Sequence, residues 1–239
     1  MHIKVIDAAK ACDAMYAVNA IGSPGTIEGY TSLHYVMGRV GFGVSNSKPR
    51  PTCAVYKKDG ADAYIIAIRG SIMTESDWTS NNAKIGLNLT LNRAKETFEF
   101  VRRQQLGRAA SEFVIAGHSL GGGLAQLVGY YTKNHFIGFN APGMRSTVTG
   151  LLLIGSAGTG LTSKTKSWDY DKGCVFNTSN DPISQLPGRF VGRDYKVFST
   201  IPYSGAAHMM PGMIEGLQGE NGGGKVCHGS GGIASLRAA

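Results

Sequence analysis

Charge and long apolar runs are both scarce in this chain: 17% of its 239 residues are charged, and no apolar stretch approaches the roughly eighteen residues a membrane-spanning helix needs. Leu151 to Ile154 is an apolar run of four that then gives way to glycine. The opening Met1-His2-Ile3-Lys4-Val5-Ile6-Asp7 meets an acidic residue too early to build a secretory signal core. The sequence leaves the location open between the cytoplasm and export by a non-classical route; if the protein leaves its cell, a removed leader or a dedicated export machine must take it. Cysteine is sparse too. Cys12, Cys53, Cys174 and Cys227 form no Cys-x-x-Cys pair and have no His-x-x-x-His partner, which argues against a zinc site. They fit buried thiols, with two disulfides open in an oxidising compartment. A dinucleotide glycine fingerprint, a phosphate loop and a repeat of fixed period are all missing, which counts against a nucleotide enzyme or a solenoid. No metal or organic cofactor is expected.

What is present is the composition of a folded protein, 42% hydrophobic, with no Pro-rich or charge-rich linker, so residues 1–239 read as one domain. The net charge of +8 would attract an anionic surface such as phospholipid headgroups. The basic groups Lys57-Lys58, Arg102-Arg103 and Lys164 to Lys166 lack interleaved aromatics, so they read as a solvated face and nucleic acid is not an expected partner.

Apolar spacing places a helix over Ile6 to Val18, ended by Gly22-Ser23-Pro24-Gly25. Thr52 to Tyr56 and Ala63 to Ile68 flank Lys58-Asp59-Gly60 as a hairpin, and the second arm is continuously apolar, as a central strand should be. A helix over Leu91 to Val101, a strand at Phe113 to Ala116, a helix with apolar positions 120, 124, 127, 128 and 131, and a strand at Phe136 to Phe139 follow. Cys174 to Phe176 and Tyr195 to Phe198 read as two more strands. This alternation predicts an α/β fold with a mostly parallel central sheet flanked by helices. Residues 144–173 read as an irregular excursion, and the chain from about Gly216 as a glycine-rich tail.

Between the Phe113 strand and the helix after it stands Gly117-His118-Ser119-Leu120-Gly121. With 34 glycines in the chain, Gly-x-Ser-x-Gly should arise by chance about 0.4 times, so the pentapeptide alone is weak. Strand, elbow and amphipathic helix in succession are what an exposed serine nucleophile needs. His118, inside the elbow, reads as a packing residue. A serine nucleophile also needs a base, and the base needs a carboxylate to orient it. Of the histidines downstream, His208 follows the Tyr195 strand and precedes apolar Met209, Met210, Met213, Ile214 and Leu217, whereas His228 sits among glycines. For the acid, Asp181 follows the Cys174 strand in an Asn-Asp-Pro turn, with Asp169, Asp171 and Asp194 as competitors. The oxyanion donors should be the backbone N–H of Leu120 and a group from Arg69-Gly70-Ser71 after the earlier central strand.

Together, Ile68-Arg69-Gly70-Ser71, Asp77-Trp78-x-x-Asn81, Gly117 to Gly122, Phe139-Asn140-Ala141-Pro142 and Asn177 through Asp181-Pro182-Ile183 to Leu186-Pro187 resemble the class 3 lipases. That group holds fungal triacylglycerol lipases and plant phospholipases A. The resemblance implies the α/β-hydrolase fold, a triad of Ser119, Asp181 and His208, an oxyanion hole of Ser71 and Leu120, and a lid over roughly Ile72 to Ser80. Ile72, Met73 and Trp78 are the apolar residues of that lid. It implies hydrolysis of lipid esters at a membrane or lipid interface, by a lipase or phospholipase A. Basic charge without a leader fits an exported effector. The alternatives are a catalytically inactive α/β-hydrolase acting as a scaffold, and a basic nucleic-acid-binding protein.

Overall fold

The computed structural model describes residues 2–17, 22–38, 50–70, 82–108, 111–145, 170–186, 188–198, 201, 205–218 and 226–227, with the backbone alone at 82–92 and 226–227. Within these residues an eight-stranded sheet runs in the order β1 to β8 without a crossover in strand order. Its strands are β1 (Tyr30–Gly38), β2 (Arg50–Lys58), β3 (Ala63–Ile68), β4 (Glu112–His118), β5 (His135–Phe139), β6 (Gly173–Thr178), β7 (Arg193–Val197) and β8 (Val226–Cys227). β3 to β7 are mutually parallel, and the antiparallel pairs β1–β2, β2–β3 and β7–β8 flank them. The helices are α1 (Val5–Ala14), α2 (Asn82–Gln105), α3 (Leu120–Thr132), α4 (Gly205–His208) and α5 (Met210–Gln218).

Parallel neighbours laid down in sequence order, joined by crossovers of one hand, put their connecting helices on one face. Accordingly Phe100 and Val101 of α2 and Leu124, Leu127 and Val128 of α3 share a cluster with Ile66, Ile68, Ile115 and Val175. The other face must be closed by the chain ends. There Ala8, Ala11 and Cys12 of α1 and Met210 and Met213 of α5 pack on Ile65, Ala67, Val114, Ala116, Ile137 and Phe176. Alternate residues of each strand serve the two clusters, which is why the central strands read as unbroken apolar runs.

The fold is the expected one, a mostly parallel sheet with helices on both faces. The differences lie at its margins. β1 was not expected: only Tyr30 at its start is buried and Thr31 through Met37 are exposed, so no core-facing alternation marks it, and two register shifts interrupt its pairing with β2. α1 stops at Ala14 rather than Val18, because the chain turns at Met15 and Tyr16, where the Tyr16 N–H bonds Asp13 O, and Ala14 O accepts instead from Gly25 N–H. α2 begins nine residues before Leu91 and extends to Gln105. The expected tail does not begin at Gly216. α5 continues to Gln218, with Ile214 and Leu217 held against the core, and Val226–Cys227 pairs with β7. Of the excursion, 146–169 lies outside the described residues, but Tyr170 belongs to the body, stacked on Phe136 and donating to the carbonyl oxygens of Gly129 and Asn134. Cys12, Cys53 and Cys174 are buried free thiols.

Candidate active site

Five parallel strands end along one edge of the sheet, and ligand sites of open α/β sheets form beyond such carboxyl ends. At that edge β4 hands over to α3 through Ser119, whose φ of 58° and ψ of −129° lie in a region non-glycine residues avoid. Such a conformation costs on the order of 1–3 kcal/mol and persists only where the surroundings impose it. The Ser119 N–H bonds Phe139 O at 2.9 Å, and the Ser119 carbonyl accepts from Gly122 and Gly123 N–H. The turn also needs close contact of helix and sheet. A Cβ on Gly117 would overlap the Gly121 carbonyl, and one on Gly121 would overlap the Ile68 carbonyl. Ser119 therefore opens α3 at its positive end, with Leu120 as the first helical residue.

The turn after β6 carries Asp181, wholly buried. Its Oδ1 accepts from Ile183 N–H at 3.0 Å and its Oδ2 from Ser184 N–H at 2.9 Å, so the turn holds the carboxylate by two main-chain donors. Oδ1 also faces His208 Nδ1 at 2.8 Å. A carboxylate there fixes the Nδ1–H tautomer and leaves Nε2 as the basic nitrogen. His208 ends α4 and is 5% exposed. Asp194, one of the competing acids, accepts instead from Asn177 Nδ2 at 3.0 Å. Asp171 lies on the turn entering β6, and Asp169 and His228 fall outside the described residues.

The segment after β3 reaches the same edge. A Cβ on Gly70 would stand 2.9 Å from Ser119 Cβ and 2.7 Å from the His118 carbonyl, so main chain here lies against the serine turn. Ser71, Ile72, Met73 and Trp78 lie outside the described residues. Arg69, whose side chain is buried, donates from Nη1 to Met15 O at 2.7 Å and stacks its guanidinium on the Tyr16 ring; Arg93 donates to Arg69 O.

Sequence reasoning missed the polar frame around His208. Asn140, in the left-handed region with φ of 44° after β5, donates from Nδ2 to the carbonyls of Ala207 and His208, while its Oδ1 accepts from Thr178 N–H. His118 is not simply a packing residue. It is 2% exposed, its Nε2 lies 2.7 Å from His208 O, and its Nδ1 lies 2.8 Å from Tyr16 Oη. Burial, with the neighbouring His208 second, lowers its pKa to about 3. Within the elbow motif only its polarity hinted at this, since a residue needed for volume alone would be apolar.

A mostly parallel sheet with helices on both faces and a strained turn between β4 and α3 is the α/β-hydrolase fold. Residues 44–179, more than half of its length, match the Tle-like phospholipase domain, and the chain belongs to that family. Its fold is similar to the Lip2 lipase of Yarrowia lipolytica, with a TM-score of 0.50 at 14% identity over 82% of this chain and 78% of that one. It is also similar to a lipase of Rhizomucor miehei in complex with its propeptide, with a TM-score of 0.50 at 12% identity over 82% of this chain and 67% of that one. No curated protein sequence matches the chain.

Proposed function

We propose that this domain is a serine carboxylester hydrolase acting on phospholipid or acylglycerol esters through an acyl-enzyme. The carrying observation is the His208 Nδ1 to Asp181 Oδ1 contact of 2.8 Å at the edge where Ser119 occupies its strained turn. Ser119 Oγ attacks the acyl carbonyl while His208 Nε2 takes its proton, and Asp181 stabilises the imidazolium. The oxyanion draws on the N–H of Leu120 at the start of α3 and on Ser71, the residue after Gly70. His208 Nε2–H then protonates the leaving alcohol, the Ser119 ester remains, and water activated by His208 releases the fatty acid and regenerates the serine.

Lipid as the substrate is supported by what surrounds these residues. Met209, directly after His208, is 47% exposed, and Leu186 and Phe198, on the segments that follow β6 and β7, are 49% and 52% exposed. A net charge of +8 favours anionic phospholipid surfaces, and the family is named for phospholipases. We assign the segment Ile72, Met73 and Trp78 as a lid on the same reading. The test is hydrolysis of a short soluble ester, triacylglycerol and defined phospholipids, with fluorophosphonate labelling. Ser119→Ala should retain less than about a thousandth of the activity and should not be labelled. An Ala variant that still turns over or takes up the probe would refute the assignment, and an unreactive wild type would favour a scaffold.

A further inference from the structure

A one-way hydrogen-bond chain runs behind the serine. The carbonyl oxygen of His208 can only accept, so His118 Nε2, 2.7 Å away, carries the hydrogen. In a neutral imidazole the other nitrogen is then an acceptor, so the Tyr16 hydroxyl donates to His118 Nδ1 at 2.8 Å. The hydroxyl oxygen in turn accepts from Gly70 N–H at 3.0 Å. The directions follow from a neutral His118 and the two ends, a main-chain donor beside Ser71 and a main-chain acceptor on His208. Asn140 Nδ2 bonds the same His208 carbonyl at 3.0 Å, so the main chain of His208 is held from two sides.

We propose that Tyr16 and His118 are positioning residues that hold the oxyanion segment and His208 in one frame; the inference rests on the serine-hydrolase reading above. Their hydrogen bonds described above run to each other and to the main chain of Gly70 and His208. Burying an imidazole and a phenol here costs desolvation that a phenylalanine would avoid, and the return is a fixed distance between two loops that no strand pairing connects. His118 must also be neutral to do this. Its ring centroid lies 4.6 Å from that of His208, so a charged His118 would oppose the imidazolium that proton transfer forms on His208. Tyr16, just past α1, is clamped by the Arg69 guanidinium 4.7 Å from its ring, which ties the N-terminal helix to the same frame.

Three full-length variants test this. Tyr16→Phe removes the hydroxyl and keeps the ring on Arg69. His118→Phe removes both bonds and keeps a ring, and His118→Gln keeps an N–H able to reach His208 O. On a soluble short ester, Tyr16→Phe should lower kcat about ten-fold and His118→Phe about a hundred-fold, with KM nearly unchanged. His118→Gln should recover about ten-fold of the latter loss. The downfield proton resonance of His208 Nδ1–H against Asp181 should broaden or vanish in His118→Phe and return in His118→Gln. Wild-type kcat and resonance in both Phe variants overturns the proposal, as does a His118→Phe loss that His118→Gln leaves unrepaired. Should His118→Phe fail to fold, Tyr16→Phe decides, and wild-type kcat there overturns it. An active Ser119→Ala or an inactive wild type would overturn the hydrolase reading instead, and the resonance would still report on the frame.

Discussion

Replacing Asp181 by Asn changes one atom and cannot be accommodated in either orientation. Three N–H groups converge on the carboxylate: Ile183 N–H and His208 Nδ1–H on Oδ1, and Ser184 N–H on Oδ2. With the amide nitrogen at the Oδ2 position, Ser184 N–H loses its acceptor, while the contact with His208 survives without its negative charge. Flipped, the amide confronts Ile183 N–H and forces His208 to the tautomer whose Nε2 bears the proton and cannot act as base. On the proposed mechanism this carboxylate-to-amide change should lower kcat by about 10⁴, or about 5 kcal/mol of barrier at 1.36 kcal/mol per ten-fold. One orphaned buried N–H costs about 1–3 kcal/mol, which at about 2–4 °C per kcal/mol lowers Tm by about 2–12 °C. Turnover of a soluble ester, measured beside a thermal melt, separates the two effects. Asp194→Asn is the control, because Asp194 bonds Asn177 rather than a histidine. An Asp181→Asn protein that is folded and within ten-fold of wild-type kcat, or an equal loss in Asp194→Asn, would refute the reasoning.

Gly121→Ala should destabilise by about 3 kcal/mol or more in urea titrations, because its Cβ meets the Ile68 carbonyl, whereas Gly60→Ala, in open space at φ of 74°, should cost only about 1–2 kcal/mol of backbone strain. Equal costs would mean that α3 can shift away from β3. Because the folded-state pKa of His118 lies near 3, well below the ordinary 6.5, the unfolded chain takes up a proton between those values that the folded chain does not. Stability is therefore lost as pH falls from about 6.5 toward 3, by at most about 1.4 kcal/mol per pH unit from this group, and melts of His118→Gln should be flatter by that amount. Parallel pH profiles would contradict the burial of a neutral His118. Trp78→Ala should blunt the rise in rate as a lipid substrate passes from monomers to aggregates while sparing a soluble ester; a wild-type rate without a break at aggregation would remove the lid assignment.

The central part of the fold was legible because it is written in local patterns. The continuous apolar run of β3, the serine turn between β4 and α3, and the Asn-Asp-Pro turn after β6 each declare themselves within ten residues or so, by period, by glycine and by turn chemistry. β1 was not legible, because an edge strand exposed from Thr31 through Met37 leaves no alternation to read. Nor could spacing choose among the histidines and acids on chemistry alone. Asp181 and His208 are 27 residues apart, and only the order of parallel strands brings the ends of β6 and β7 together. The frame behind the serine lay still further from view. Tyr16 and His118 are 102 residues apart, and His118 and His208 are 90 apart. By itself the sequence determined which groups stand on sharp turns at strand ends, since turn geometry depends on neighbours in the chain. Which of those groups face one another, and in which protonation state His118 is held, only the tertiary structure decided, because burial and distance between remote segments exist only once the sheet has assembled.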